Sequence, residues 1–405
     1  VNVLANGGAS PSDAERTRGV VGPRQMAAQA FGGGTPGLMV ADSPRESLLQ
    51  DLSTALFAVL PRRDQRHKGE QYLRGLLSAH GRRSIRNVAL SLGDPTMEQP
   101  LHHFVCNSTW DWVSLREALS DWLVPRIGAR AWVVRPMPIP KSGQHSVGVG
   151  WGVDEHHGGA FHGQQAFGVW AASDRVSAPV TWRLLLDDDR TEPRQACAAT
   201  AALGFSRVHD ATRLPVVLDT MAEDPSATLD RFSAAGVPVL VRVPGTTRVT
   251  PRDARVRRPG QGQVRVQQLL ASVPGLRRTV AWGGTAAPSG IRHTPVARLS
   301  VGLPGGSQDL VLLGEWDSYR SRFGGAWLTT MTQTPSPALL RLAALTGRVR
   351  QDLAGFGNRA GLRDFEGRSL RGWHCHITLA SAAHAVEALT AQADGDCAHL
   401  PGMSA

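Results

Sequence analysis

The stretch AWVVRPMPIPKSGQHSVGV, residues 131–149, reads as a buried strand that ends on unexpected chemistry. Ala131, Trp132, Val133 and Val134 make a short apolar run, Arg135 and Pro136 stop it, and Lys141, Ser142 and Gly143 turn the chain into a second run. A brief apolar segment bounded by turn formers suits a strand buried in a sheet. Functional groups often collect where such strands end, so an arginine followed by a proline there needs a reason.

Outward from this strand, the same texture of short apolar runs and turn residues continues downstream. It predicts strands near 145–150, 164–171, 180–186, 214–219, 237–243, 278–282, 297–303 and 310–316, with helical patterns near 194–203, 226–235, 337–353 and 372–389. Three strands of antiparallel appearance followed by strand–helix alternation predict an α/β mixed sheet over 130–390, covered by helices on both faces. Within it, 244–330 reads as a β-rich insertion, and its segment 248–275 is basic and turn-rich. Upstream, 43–125 reads as a helical domain. Ser43 and Glu46 have capping-box spacing around Pro44, and Leu48, Leu52, Ala55, Leu56 and Val59 follow at helical intervals. Residues 1–42, rich in Gly, Ala, Pro and Ser, have no period that buries a face and are expected to be disordered. Residues 391–405 are expected to form a C-terminal tail.

The 405 residues carry a net charge of +10, and Lys68 and Lys141 are the only lysines, so the charge is arginine. Guanidinium groups suit bidentate contact with phosphate, which makes an acidic polymer a fitting partner. No apolar run approaches the ~18 residues of a membrane span. The N-terminal sequence lacks the layout of a secretory signal, which favours the cytoplasm. Cys106, Cys197, Cys375 and Cys397 are scattered without CxxC pairing, so neither a disulfide framework nor a zinc knuckle is expected. In the helical region Arg62, Arg63, Arg66, Lys68, Arg74, Arg82, Arg83 and Arg86 outnumber the nearby acids. Two readings remain open there, an ordinary solvated face and a DNA phosphate-contacting surface to which Lys141 would add.

Several blocks are distinctive: STWDWVSLREALSDWL, HSVGV, AASDRVSAPVTWRLLL, GVPVLVRVPG, LLGEW and DFEGRSLRGWHCHITLASAAHA. In this order, from about residue 48 to 389, they resemble the DDE superfamily endonucleases, transposases of bacterial insertion sequences. The resemblance implies an RNase H-like core preceded by a helical region and interrupted by a β-rich insertion. Three carboxylates would hold two divalent ions, Mg2+ or Mn2+, and double-stranded DNA would be the partner, with a homo-oligomer possible. Two ions ~4 Å apart stabilise the attacking and leaving oxygens of an in-line phosphoryl displacement, and hard oxygen ligands are needed to hold them.

The departures from that family pattern fall on those acids. Aligning Pro140, Lys141, Gly143, His145 and Ser146 with the family's turn puts Arg135 and Pro136 where two aspartates belong. Asp219, closing LPVVLD, matches the second acid. Counting back from Phe365 and Glu366 puts Arg350 at the third, a helical glutamate. A unit charge ~4 Å from a divalent ion contributes ~8 kcal/mol at an effective dielectric of ~20, and each acid-to-arginine exchange turns that attraction into repulsion. The resemblance therefore implies a transposase-like DNA-binding protein with impaired catalysis and no resident cofactor. Substitute acids would be Glu223 and Asp224, next to the retained strand end. Asp154, Glu155, Asp187 to Asp189 and Asp352 are further carboxylates, although Asp352 turns ~200° away from position 350 on a helix. Active cleavage with relocated acids, or a protein-interaction scaffold on the same fold, are the alternatives.

His156, His157 and His162 share a Gly-rich loop without metal-site spacing, and read as a polar loop. In the family motif Glu366, Arg368, Trp373, His374 and His376, the histidines suit packing or hydrogen bonding. Trp110, Trp112, Trp122, Trp182, Trp316 and Trp373 suit core packing.

Overall fold

The structure, a computed structural model, describes residues 43–154, 158–186, 192–206, 214–257, 262–283, 290–317 and 323–398. The expectation of disorder over 1–42 lies outside them, as do Glu155, His156, His157 and Asp187 to Asp189. Asp42–Ala405 form one compact unit.

Five helices come first: α1 (Pro44–Phe57), α2 (Arg63–Ser78), α3 (Ile85–Ser91), α4 (Glu98–His102) and α5 (Trp112–Ile127). The Ser43 hydroxyl accepts the Glu46 N–H at the start of α1, as the capping spacing predicts. Leu52, Leu56, Tyr72, Leu73 and Leu76 are fully buried on the inner faces of α1 and α2.

The sheet then begins with β1 (Ala131–Pro140), β2 (Gly150–Asp154), β3 (Gly159–Ala172) and β4 (Ser177–Leu184), all joined antiparallel through β3. Helix α6 (Arg194–Ser206) crosses to β5 (Val216–Leu218), and α7 (Ser226–Ala234) crosses to β6 (Val239–Val243); β5 lies parallel to both β1 and β6. Strands β4, β3 and β1, antiparallel, with β5 and then β6 added parallel beside β1, make the RNase H-like core, and β2 pairs with β3.

The sheet widens with β7 (Arg248–Pro251), β8 (Val264–Arg265), α8 (Val266–Ala271), β9 (Arg278–Gly283), β10 (Ile291–Gly302), β11 (Leu310–Trp316) and β12 (Phe323–Thr329). Strand β12 pairs antiparallel with β6, and the order then runs β11, β10, β7, β8, with β9 also on β10. Helix α9 (Ser336–Asp352) packs on β1 and β9, and α10 (Leu370–Ala398) packs on α1, α2, α5 and β4.

Three local expectations change. Strand β1 does not stop at Pro136; it runs to Pro140 paired with β3, because β5 covers only Trp132, Val133 and Val134. Beyond Val134 that edge is open, and an open edge tolerates prolines that donate no hydrogen bond. The strand expected at 145–150 is a turn, since Gly148 has φ +69° and the Leu185 carbonyl oxygen lies 2.6 Å from where a Cβ would stand. The tail expected from 391 is helical as far as Ala398. Among the described residues no helix is long and apolar enough to cross a membrane, and Cys106, Cys197 and Cys375 form no disulfide.

Candidate functional site

Strand register builds the site. Val134, Leu218, Val241 and Leu328 stand at one level across β1, β5, β6 and β12. The next residue along each is therefore brought to the same end of the sheet, and these are Arg135, Asp219 and Arg242, with Trp327 paired to Arg242. The Asp219 N–H donates to the Val134 carbonyl at 3.0 Å, which pins the chain where it leaves β5.

Asp219 is almost fully buried. One carboxylate oxygen accepts a hydrogen bond from the Arg135 guanidinium, itself 6% exposed, and the other accepts from Arg242 Nη1 at 3.2 Å. Burial pulls the Arg135 guanidinium below the usual arginine range; Asp219 opposes this, while Arg350 on α9 and Arg242 add repulsion. Arg350 is exposed and forms no ion pair among the described residues. Of the positions that the family resemblance assigns to acids, Arg135, Asp219 and Arg350 thus share one electrostatic environment, as two arginines and one aspartate, and Pro136 carries no charge.

Two members of this site escape a motif search. Arg242 interrupts the apolar strand VLVRV, a signal visible in the sequence but without meaning until β6 is placed beside β5. Glu315, in the LLGEW block, stands on β11 two residues beyond Leu313, the partner of Trp327. Burial raises its carboxyl, against a hydrogen bond from Trp327 and the charge of Arg242, and its Oε1 accepts no hydrogen bond among the described residues.

The other candidate acids face elsewhere. Glu223 is exposed and accepts from the Thr246 hydroxyl at 3.1 Å; Asp224 accepts the Ser226 N–H at 3.0 Å at the start of α7. Asp352 points to β4, where it accepts the Ser177 N–H at 2.7 Å and its hydroxyl at 2.8 Å and pairs with Arg348 at 2.6 Å. Glu366 pairs with Arg82 at 3.0 Å on the surface, and Arg368 is exposed.

Lys141 is anchored rather than free, its ammonium donating to the Phe365 carbonyl at 2.6 Å. Arg66 donates to the Leu60 carbonyl at 2.7 Å, Lys68 stands 3.9 Å from Asp64, and Arg83 donates to the Leu76 and Gly81 carbonyls. Arg62, Arg63 and Arg86 are exposed, with no ion pair among the described residues.

His374 and His376 lie in the first turns of α10. The His376 Nε2–H donates to the Gly361 carbonyl at 2.8 Å while Nδ1 accepts the Tyr72 hydroxyl at 2.8 Å; burial pushes this imidazole down to about 4. His374 stacks on Trp112 and accepts from buried Arg116 at 3.0 Å, and burial with that neighbouring charge pushes it down to about 3. Both are neutral packing groups. Trp110, Trp122, Trp182, Trp316 and Trp373 are buried. His162 bonds to the Lys141 carbonyl at 2.8 Å.

With this geometry in place, the comparison with known families is direct: residues 55–286, more than half of the chain, match the family described as DDE superfamily endonuclease. The chain belongs to that family. Its fold is accordingly RNase H-like, and divalent-metal dependence is general among DDE superfamily endonucleases. No curated protein matches the chain.

The donor set fits two divalent ions poorly. A hard cation needs several converging oxygens, and here one carboxylate already accepts from two guanidinium groups. Among the described residues no three His, Cys, Asp or Glu side chains come together to hold an ion.

Proposed function

We propose that this DDE superfamily protein binds duplex DNA through its arginines and has lost metal-dependent strand cleavage. The supporting observation is the Asp219 clamp. The one acid left at the three family positions is neutralised by Arg135 and Arg242, with Arg350 adding a further positive charge. A divalent ion entering there would meet net repulsion, where each arginine at ~4 Å opposes it by ~8 kcal/mol at an effective dielectric of ~20. The same excess charge suits phosphate, which releases counterions as it is neutralised.

Two assays test the reading. Supercoiled DNA incubated with Mg2+ or Mn2+ should remain uncut, while duplex binding should weaken steeply with salt. Metal-dependent nicking that disappears in Asp219→Ala would overturn the loss of cleavage. Failure to bind any duplex at ~50 mM salt would overturn the DNA reading. Mn2+ titrated calorimetrically into Arg135→Asp/Arg350→Glu should bind where the native chain takes up none.

A further inference from the structure

A second positive feature stands apart from the clamp. In the two-stranded ribbon of β7 and β8, Arg248 is the direct antiparallel partner of Arg265. Both are exposed, and neither forms an ion pair or side-chain hydrogen bond among the described residues. Like charges placed directly opposite on paired strands destabilise the pair. Among the described residues no acid pairs with either guanidinium to compensate this repulsion.

The ribbon is held firmly from beneath. Val249, between Arg248 and Thr250, is fully buried, so Arg248 is on the outward face. One end of the ribbon is tied twice, by the Val266 N–H to the Thr247 carbonyl at 2.9 Å and by the Gln267 N–H to the Gly245 carbonyl at 3.0 Å. The turn before it reaches the loop that follows Asp219, where Thr246 donates to Glu223 at 3.1 Å and Thr247 donates to the Ala222 carbonyl at 3.5 Å. Glu223 is the acid bound to this turn, and it accepts from Thr246 rather than from either arginine.

We infer that the β7–β8 ribbon contacts the phosphate backbone of duplex DNA, Arg248 and Arg265 each taking a phosphate of one strand. Anionic oxygens between the two guanidinium groups convert their mutual repulsion into two charge-assisted contacts. The contact reads backbone and not sequence. This inference rests on the DNA-binding reading above and adds a surface to it, separate from the N-terminal arginines and from the clamp.

The test compares the native chain with Arg248→Gln/Arg265→Gln and with Arg248→Glu on two duplexes of unrelated sequence, across a salt series. The double variant should lower the slope of log K against log salt by about 2 on both duplexes, at ~0.9 per phosphate contact. Arg248→Glu creates a cross-strand ion pair with Arg265, so it should bind DNA more weakly while its thermal midpoint holds or rises. If the native chain binds and neither variant changes the slope, the ribbon inference fails and the DNA reading stands. If the native chain binds no duplex, both fail. A Glu variant that unfolds at lower temperature would also count against the ribbon, since it would show the arginines to be structural.

Discussion

Asp219 and Asp352 are both buried aspartates paired with arginine, yet their surroundings differ in one respect. Asp352 sits between a backbone N–H, a hydroxyl and a single guanidinium, all within one corner of α9 and β4. Asp219 faces guanidinium groups from two different strands, with a third arginine close enough to perturb the first. The Asp352 corner balances its charge and serves packing; the Asp219 corner has a surplus of positive charge at the sheet end where the family resemblance puts its acids. A buried ion pair alone does not single out a candidate site. The imbalance around Asp219 is what does so here.

Four measurements break or sharpen that contrast. Among single substitutions the largest effect is expected from Asp219→Asn, which leaves Arg135 buried without its counter-charge and should cost ~3–5 kcal/mol in urea unfolding. Acid acts on several groups at once. The α10 histidines are neutral when folded, with His376 and His384 pushed down to about 4 by burial. Unfolded, each would titrate near 6.5 and take up a proton, so stability present above pH 6.5 is lost as pH falls toward 4. The slope is ~1.4 kcal/mol per pH unit for each histidine, measurable by urea titrations at a series of pH values. Burial raises the Asp352 carboxyl, so that group should not contribute to the acid loss. A profile flat between pH 6.5 and 4 would contradict the neutral assignment.

Asp352→Asn should be milder, ~1 kcal/mol, because an amide oxygen still accepts from Ser177 while the carboxylate's burial cost disappears. Equal losses for Asp219→Asn and Asp352→Asn would erase the contrast. The smallest effect belongs to Arg82→Ala, whose exposed pair with Glu366 should contribute less than ~0.5 kcal/mol to the thermal midpoint.

Much of this architecture is legible in the sequence, for identifiable reasons. Apolar runs such as VVL of β5 and the VLV that opens β6 are fully buried in the sheet, and hydrophobic burial dictates them locally. The helix after Ser43 announces itself through its cap. By contrast, β12 begins FGG and carries no alternating pattern; only its pairing with β6 and β11 makes it a strand. The prolines of β1 misled because strand propensity ignores which edge of a strand is covered. At the site, Arg135 and Asp219 emerged from family spacing, whereas Arg242 and Glu315 depend on register between strands distant in sequence. Spacing along a chain cannot carry that information.

The long helix α10 has a consequence for how the chain is made. Tyr72 hydrogen-bonds to His376, and Arg116 to Thr378, partners separated by 304 and 262 positions. Helices α2 and α5 therefore lack one wall of their core until α10 leaves the ribosome. During synthesis they wait with apolar faces uncovered, a state that invites chaperone capture, and premature termination before α10 would leave nothing able to close them.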